Sequence, residues 1–429
     1  MKRFLLILPA IALLASCNHT IVIDTHPIDI SSPEPTEAIT KVSLDAKQQG
    51  YVKAGNGMAF RFLAKMYDGN DLILSPLSLQ YALAMTANGA SGQTLQEIID
   101  FLGYGSDGIE ALNAYCKTML EQLPAVDLDV TLKLTDALLV NNKFPLLDSY
   151  KKTVQETYYA AVENMDFTNP GRVAASINKW ASKSTNGFID KVLEPDEISP
   201  DAVAFIMNAL YFKAKWAGGQ GNPLFMEEGT RSESFKLANG TTRSIPMMNT
   251  MRYFKYAEMD GYKVVAIPYA GSKYYMYILL PDANDLDGLM KKLPGISLES
   301  ICSNFKNDAE VYLKLPKFDI ENKYLLNSAL ASLGLNKPFS PTEAEFDRIF
   351  KDNSSSFFIS KILQKAKISV TEWGTEAAAV TVVMMDVASI GPGQEPKRIN
   401  FYADHPFVFL IGESTSGAIL FEGTFTGKE

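Results

Sequence analysis

Between Val42 and Ser389 no long stretch rich in threonine, serine, proline and aspartate interrupts the chain, and within that span helical patterns come first and strand patterns later. One large α+β domain, with antiparallel or mixed sheets, is the architecture this order predicts, since regular alternation of the two would be needed for a parallel α/β fold. Ser75-Pro76 supplies an N-cap and a first-turn proline, Leu79, Leu83 and Ala87 repeat at four-residue spacing, and Asn88-Gly89 closes the helix. Thr94 to Glu97 has capping-box spacing ahead of Ile98 and Ile99, and Val173, Ile177, Trp180 and Ala181 line one face of a helix after Asn169-Pro170. Val203 to Phe212, Lys263 to Pro268, Tyr274 to Leu280, Val311 to Leu315, Phe407 to Ile411 and Ile419 to Thr424 are rich in β-branched and aromatic residues and predict strands.

The two ends of the chain differ from this core. Lys2-Arg3 followed by the apolar run Phe4 to Ala15 is a signal peptide in form, and Leu14-Ala15-Ser16-Cys17 resembles a bacterial lipobox, which predicts cleavage and lipidation at Cys17. Residues 18 to 41, with Pro27, Pro33 and Pro35, are expected to be a flexible tether, so the domain spans 42 to 427. Acyl chains on Cys17 would hold the exported protein on a membrane, and Asn18 carries no inner-membrane retention signal, which favours the outer membrane or cell surface of a bacterium. The two remaining cysteines, Cys116 and Cys302, are expected to be free thiols, and the chain a monomer.

Composition excludes several functions. Of 429 residues, 49 are acidic and 40 are Lys or Arg, so there is no basic field for nucleic acid. Only three histidines occur: His19 and His26 lie in the tether, which leaves His405 as the sole imidazole in the domain. No Gly-x-Ser-x-Gly elbow, His-Glu-x-x-His pair or phosphate loop is present, and Cys/His metal sites run out of ligands. The expectation is a protein that is not an enzyme and has no cofactor and no metal.

The segment Glu372 to Ser389 stands apart. It follows a strand-like run, and Thr375, Ala377, Ala379, Thr381 and Val383 share one period-2 face that is small and uncharged, with Gly374 as a permissive pivot. Such a face suits a strand that slides between others. A plain strand satisfies the same pattern.

Glu372, Gly374, Thr375, Glu376, Ala377, Ala378 and Ala379 resemble the hinge of inhibitory serpins, and other motifs follow in the family's order. Asn56 to Met66 is similar to the first helix of that family, Ser75 to Leu79 to the start of its second, and Thr185 to Ile189 to a loop before its central sheet. Asn208 to Trp216 resembles its most recognisable signature, and His405 to Ile411 with Leu420 to Gly423 its last strands. The resemblance implies three β-sheets, eight or nine helices and an exposed reactive-centre loop at about 374 to 400. It implies a suicide-substrate inhibitor of serine proteases, forming a covalent 1:1 complex, with cysteine proteases also within reach. Family spacing puts the reactive bond at Ala388-Ser389, with Val387 and Met385 as alternatives, and these small residues point to elastase-like targets. Ser75, Ser78, Asn186, Asn208 and Gln364 would form the cluster that controls sheet opening, Gln364 replacing a histidine frequent in the family, and Trp216 would sit at the breach where the loop enters. A serpin-fold binding or carrier protein that does not inhibit is the alternative.

Overall fold

The computed structural model describes residues 35–218, 223–352, 357–375 and 397–428. Nine α-helices are found among them: α1 (Ala46–Met66), α2 (Pro76–Gly89), α3 (Gly92–Leu102), α4 (Gly108–Gln122), α5 (Asp148–Tyr158), α6 (Pro170–Ser184), α7 (Leu286–Lys292), α8 (Leu298–Ser303) and α9 (Asn327–Ser332). Asp45 and Gln48 form a capping box that starts α1, and Ser75 and Asn169 cap α2 and α6, each followed by its proline. The capping box expected at Thr94 and Glu97 does not form. Helix α3 begins earlier, at Gly92, and its first amides are satisfied from outside by the Glu345 carboxylate, which accepts from Gln93 and Thr94.

The strands build three sheets. The first, hereafter the split sheet, has the order β11 (Phe318–Leu325), β12 (Leu363–Thr371), β13 (Gly374–Thr375), β4 (Ala204–Lys215), β2 (Thr131–Asn141) and β3 (Ala161–Met165). A four-stranded sheet runs β14 (Lys397–Tyr402), β10 (Ala309–Pro316), β6 (Thr242–Tyr253) and β5 (Arg231–Lys236). The third follows β1 (Leu72–Leu74), β16 (Ile419–Phe425), β15 (Phe407–Glu413), β9 (Tyr274–Pro281), β8 (Tyr262–Pro268) and β7 (Lys255–Met259). Pairing is parallel only at β2–β3 and β10–β14, so the sheets are mixed as expected.

Strands β15, β9 and β16 are buried along their full length, and they form with α1 and α2 the centre of the main core. A smaller core lies on the outer side of the split sheet, where Val173, Ile177 and Trp180 of α6 pack over Ala137 and Leu139 of β2. Cys116 and Cys302 are both unbridged.

The loop expected at about 374 to 400 is narrower at both ends. Gly374 and Thr375 are paired with β12 on one side and β4 on the other, and Lys397 onward is paired with β10 as β14. Gly374 and Thr375 satisfy their backbone groups on two ladders and β14 satisfies its own on one, as the edge strand beside β10.

Candidate functional site

The split sheet is joined at one end and open below it. Strand β13 contributes two residues, with Thr375 opposite Val370 of β12 and Ala214 of β4. Beyond Thr375 the facing edges of β4, from Ala204 to Lys213, and of β12, from Leu363 to Ser369, have no strand between them among the described residues. A cavity of about 370 Å³ occupies part of this gap, walled by β4 and β12, covered by Ile177 and Trp180 of α6 and floored by Phe346, Ile349 and Phe350.

Side chains from five segments clamp the joined end. Gly374 has φ +145°, and a Cβ there would lie 2.1 Å from the Ala214 carbonyl oxygen, so no side chain fits where the chain squeezes between β12 and β4. Thr375 is buried, with its hydroxyl 2.5 Å from that of Tyr269. Tyr269 stacks on Trp216 at 4.5 Å and 11°, and the Trp216 indole donates to the Thr371 carbonyl at 2.8 Å. Glu372 is 4% exposed, lies 2.9 Å from Lys317 Nζ and accepts from Thr230 Oγ1 at 2.7 Å. Burial pushes its carboxyl up, yet Lys317 and Thr230 more than offset this and hold it below the ordinary value. Trp216 packs at this joined end with Tyr269, and Tyr269 together with Lys317 and Thr230, the partners of Glu372, are residues that sequence reasoning missed. They come from segments 55 to 142 positions away from the hinge residues they touch, and nothing local marks them.

The expected five-residue cluster divides into three. Gln364 accepts from the Ser75 amide at 3.0 Å and donates to the Ser75 carbonyl at 2.8 Å, so both halves of its amide grip the start of α2. Ser75 Oγ donates to the Leu420 carbonyl and accepts from the Ser78 amide, which ties β12, α2 and β16 together. Asn208 is not part of this group, because its amide donates at 2.8 Å to Asp136, directly opposite on β2. Asn186 is remote from it as well: in a left-handed turn (φ 52°) after α6, it accepts from Lys133. Ser75, Ser78, Asn208 and Gln364 nonetheless all line the cavity.

His405 offers no free base: Nε2 lies 2.8 Å from the Pro281 carbonyl oxygen and Nδ1 2.8 Å from Asp404. Cys17, Glu376, Ala377, Ala378, Ala379, Met385, Val387, Ala388 and Ser389 lie outside the described residues.

Comparison with known proteins bears on the whole of this arrangement. The family model described as Serpin (serine protease inhibitor) matches residues 53–427. An uncharacterized serpin-like protein of Thermococcus kodakarensis is 32% identical, over 93% of this chain and 90% of its own length. The human leukocyte elastase inhibitor is 30% identical over 86% of this chain and 96% of its own. Among solved structures, cleaved Serpin 42Da superposes with a TM-score of 0.78 at 25% identity, covering 90% of this chain and all of that one. Native tengpin, a thermophilic serpin, does so with a TM-score of 0.78 at 28% identity, covering 91% and 97%.

Proposed function

The chain belongs to the serpin family, whose members are protease inhibitors rather than catalytic enzymes, and from that premise we propose that it is an irreversible, suicide-substrate inhibitor of elastase-like serine proteases. The observation that carries this reading is the strand-wide gap between β4 and β12, beginning where the hinge residue Thr375 already pairs with both.

Continuing the register of β13 tells what would fill the gap. Ala377 falls between Ile368 and Phe212, Ala379 between Ala366 and Leu210, and Thr381 between Gln364 and Asn208. These are the inward positions, and their small side chains allow a strand to enter without displacing the core floor. Each newly paired residue exchanges water-bound amides for ladder bonds, and the apolar positions gain burial.

In this scheme a protease serine attacks the carbonyl carbon of Ala388, and the Ser389 amine leaves as the new N-terminus. The acyl-enzyme then faces two fates: hydrolysis, which releases an active protease, or insertion of the cleaved strand, which drags the tethered protease away before water reacts. Small residues at the hinge favour the second. Elastase-like preference rests on Ala388 and on the name of the human relative, an elastase inhibitor. We further propose export with lipidation at Cys17 and a tether that ends before Ile39 rather than at 41, because the Ile39 amide donates to the Ala125 carbonyl and Lys273 donates to the Thr40 carbonyl; no helix among the described residues is long and apolar enough to cross a membrane.

The test is incubation of the mature chain with elastase-, chymotrypsin- and trypsin-like proteases, followed by denaturing electrophoresis and mass spectrometry of the released C-terminal peptide. A covalent band at the summed masses with a peptide beginning at Ser389 is expected. Cleavage within Thr381 to Arg398 without such a band would instead indicate a serpin-fold binding protein. For the anchor, Cys17→Ala should release the chain from membranes and abolish labelling by a radioactive fatty acid.

A further inference from the structure

Asp136 is 1% exposed and stands on the inner face of β2, where Tyr81 of α2, Cys116 of α4 and Tyr158 of α5 face it. All three are neutral near pH 7, each pushed up by burial. Lys133 and Lys213, from the two strands that meet at Asp136, alternate onto the opposite face of the sheet. Only Asn208 favours the charged form of the carboxyl, through the hydrogen bond to Oδ1. Oδ2 of Asp136, Oδ1 of Asn208 and the Tyr81 hydroxyl have no hydrogen-bond partner among the described residues, although all are fully buried. Burial dominates, and the carboxyl is pushed up to about 7.

The position of this acid gives it mechanical meaning. Between Ala204 and Lys213, β4 has β2 as its strand partner on one side and the open gap on the other. The contact between Asp136 and Asn208 lies midway along that single ladder, and Asn208 also lines the cavity.

We propose that Asp136 is a proton-sensing latch on β4: neutral, it sits beside Asn208 and Tyr81 at low cost, whereas ionised it leaves a buried charge with one hydrogen bond among uncharged side chains and loosens the strand that borders the gap. The consequence for loop insertion rests on the inhibitor reading above; the latch itself does not.

The direction follows from linkage. In the unfolded chain the carboxyl ionises near its ordinary 3.8, while the folded chain keeps the proton to higher pH. Stability therefore falls as pH rises from about 4 to about 7 and levels off above that, with a limit of about tenfold in the native-to-unfolded ratio per pH unit for one proton.

The experiment compares the full chain with Asp136→Asn by urea unfolding from pH 4.5 to 8. The wild-type ratio, taken relative to the variant, should fall by up to about tenfold per unit through pH 5 to 6.5 and then flatten. Deuterium exchange, corrected for intrinsic rates, should show protection of Ala204 to Lys213 falling with pH in the wild type and not in the variant. Parallel pH profiles would overturn the proposal. Should Asp136→Asn fail to fold, Asn208→Ala serves: removing the hydrogen bond to the charged form should move the wild-type transition to higher pH, and an unmoved transition overturns the latch. Both readouts stand even for a chain that traps no protease.

Discussion

Glu372 and Glu422 are both buried acids, and their surroundings give them opposite effects on stability. Glu372 is held by Lys317 and Thr230, so its charge is compensated. Glu372→Gln should destabilise the uncleaved chain by about 2 kcal/mol, as expected for a broken, largely buried ion pair that leaves its partner partly solvated. Because its folded value is depressed, that contribution is present above the unfolded value near 4.5 and is lost as pH falls through the lower folded one. Urea midpoints from pH 3 to 7 check both. Glu422, on β16, is fully buried, neither carboxyl oxygen has a partner among the described residues, and burial pushes it well above the ordinary value. Its cost therefore grows as pH rises above that value. Glu422→Met should stabilise the chain at pH 7 by about 1 to 3 kcal/mol, with the gain shrinking toward pH 4; an unchanged midpoint would mean that the carboxyl has found a partner.

Among the elements, β13 is the shortest strand and governs the most. Two residues hold the split sheet closed at one end, and Gly374 is there because a Cβ would strike the Ala214 carbonyl. Gly374→Ala should therefore lower the thermal midpoint of the uncleaved chain by a few degrees, at about 1 °C per kcal/mol for a chain of this size, because a close backbone approach cannot be relieved by a rotamer change. The strand that would follow faces a different constraint, which is speed. Ala377→Pro removes an amide from the new ladder, and Thr375→Arg puts a charge where Tyr269 now closes over a hydroxyl. Each should turn the protein from inhibitor into substrate, read as loss of the covalent band with loop cleavage retained. Undiminished complex yield would remove the small-residue argument.

At the scale of the whole molecule, an unfilled strand position in a sheet this well packed is a store of free energy. The cavity of about 370 Å³, the unpaired facing edges of β4 and β12 and the unpartnered Asn208 oxygen all improve if a strand is added. Cleavage within residues 376–396 is accordingly expected to raise the thermal midpoint, by about 1 °C for each kcal/mol gained in a chain of this size. Calorimetry before and after limited proteolysis measures it. A midpoint unchanged or lowered by cleavage would show that the gap is not filled from within.

Much of this protein was legible in its sequence because the deciding interactions are local. The cap at Ser75, the start of α6 after Asn169 and its apolar face, and the β-branched runs of β8, β9, β15 and β16 act over a few residues, and the structure places them as expected. Strand β2 escaped notice, since its Asp136 breaks the apolar pattern and is tolerated only because Asn208 meets it from β4. The division of the expected polar cluster was equally invisible. Gln364, Asn208 and Asn186 are interchangeable as polar letters; the register of β2 against β4 sets Asn208 against an acid, while the packing of β12 on α2 and of the turn after α6 beside β2 gives Gln364 its Ser75 and Asn186 its lysine. Sequence patterns report which face of an element is apolar; the partners of these polar groups lie 53 to 289 residues away, and only the assembled tertiary structure fixes them.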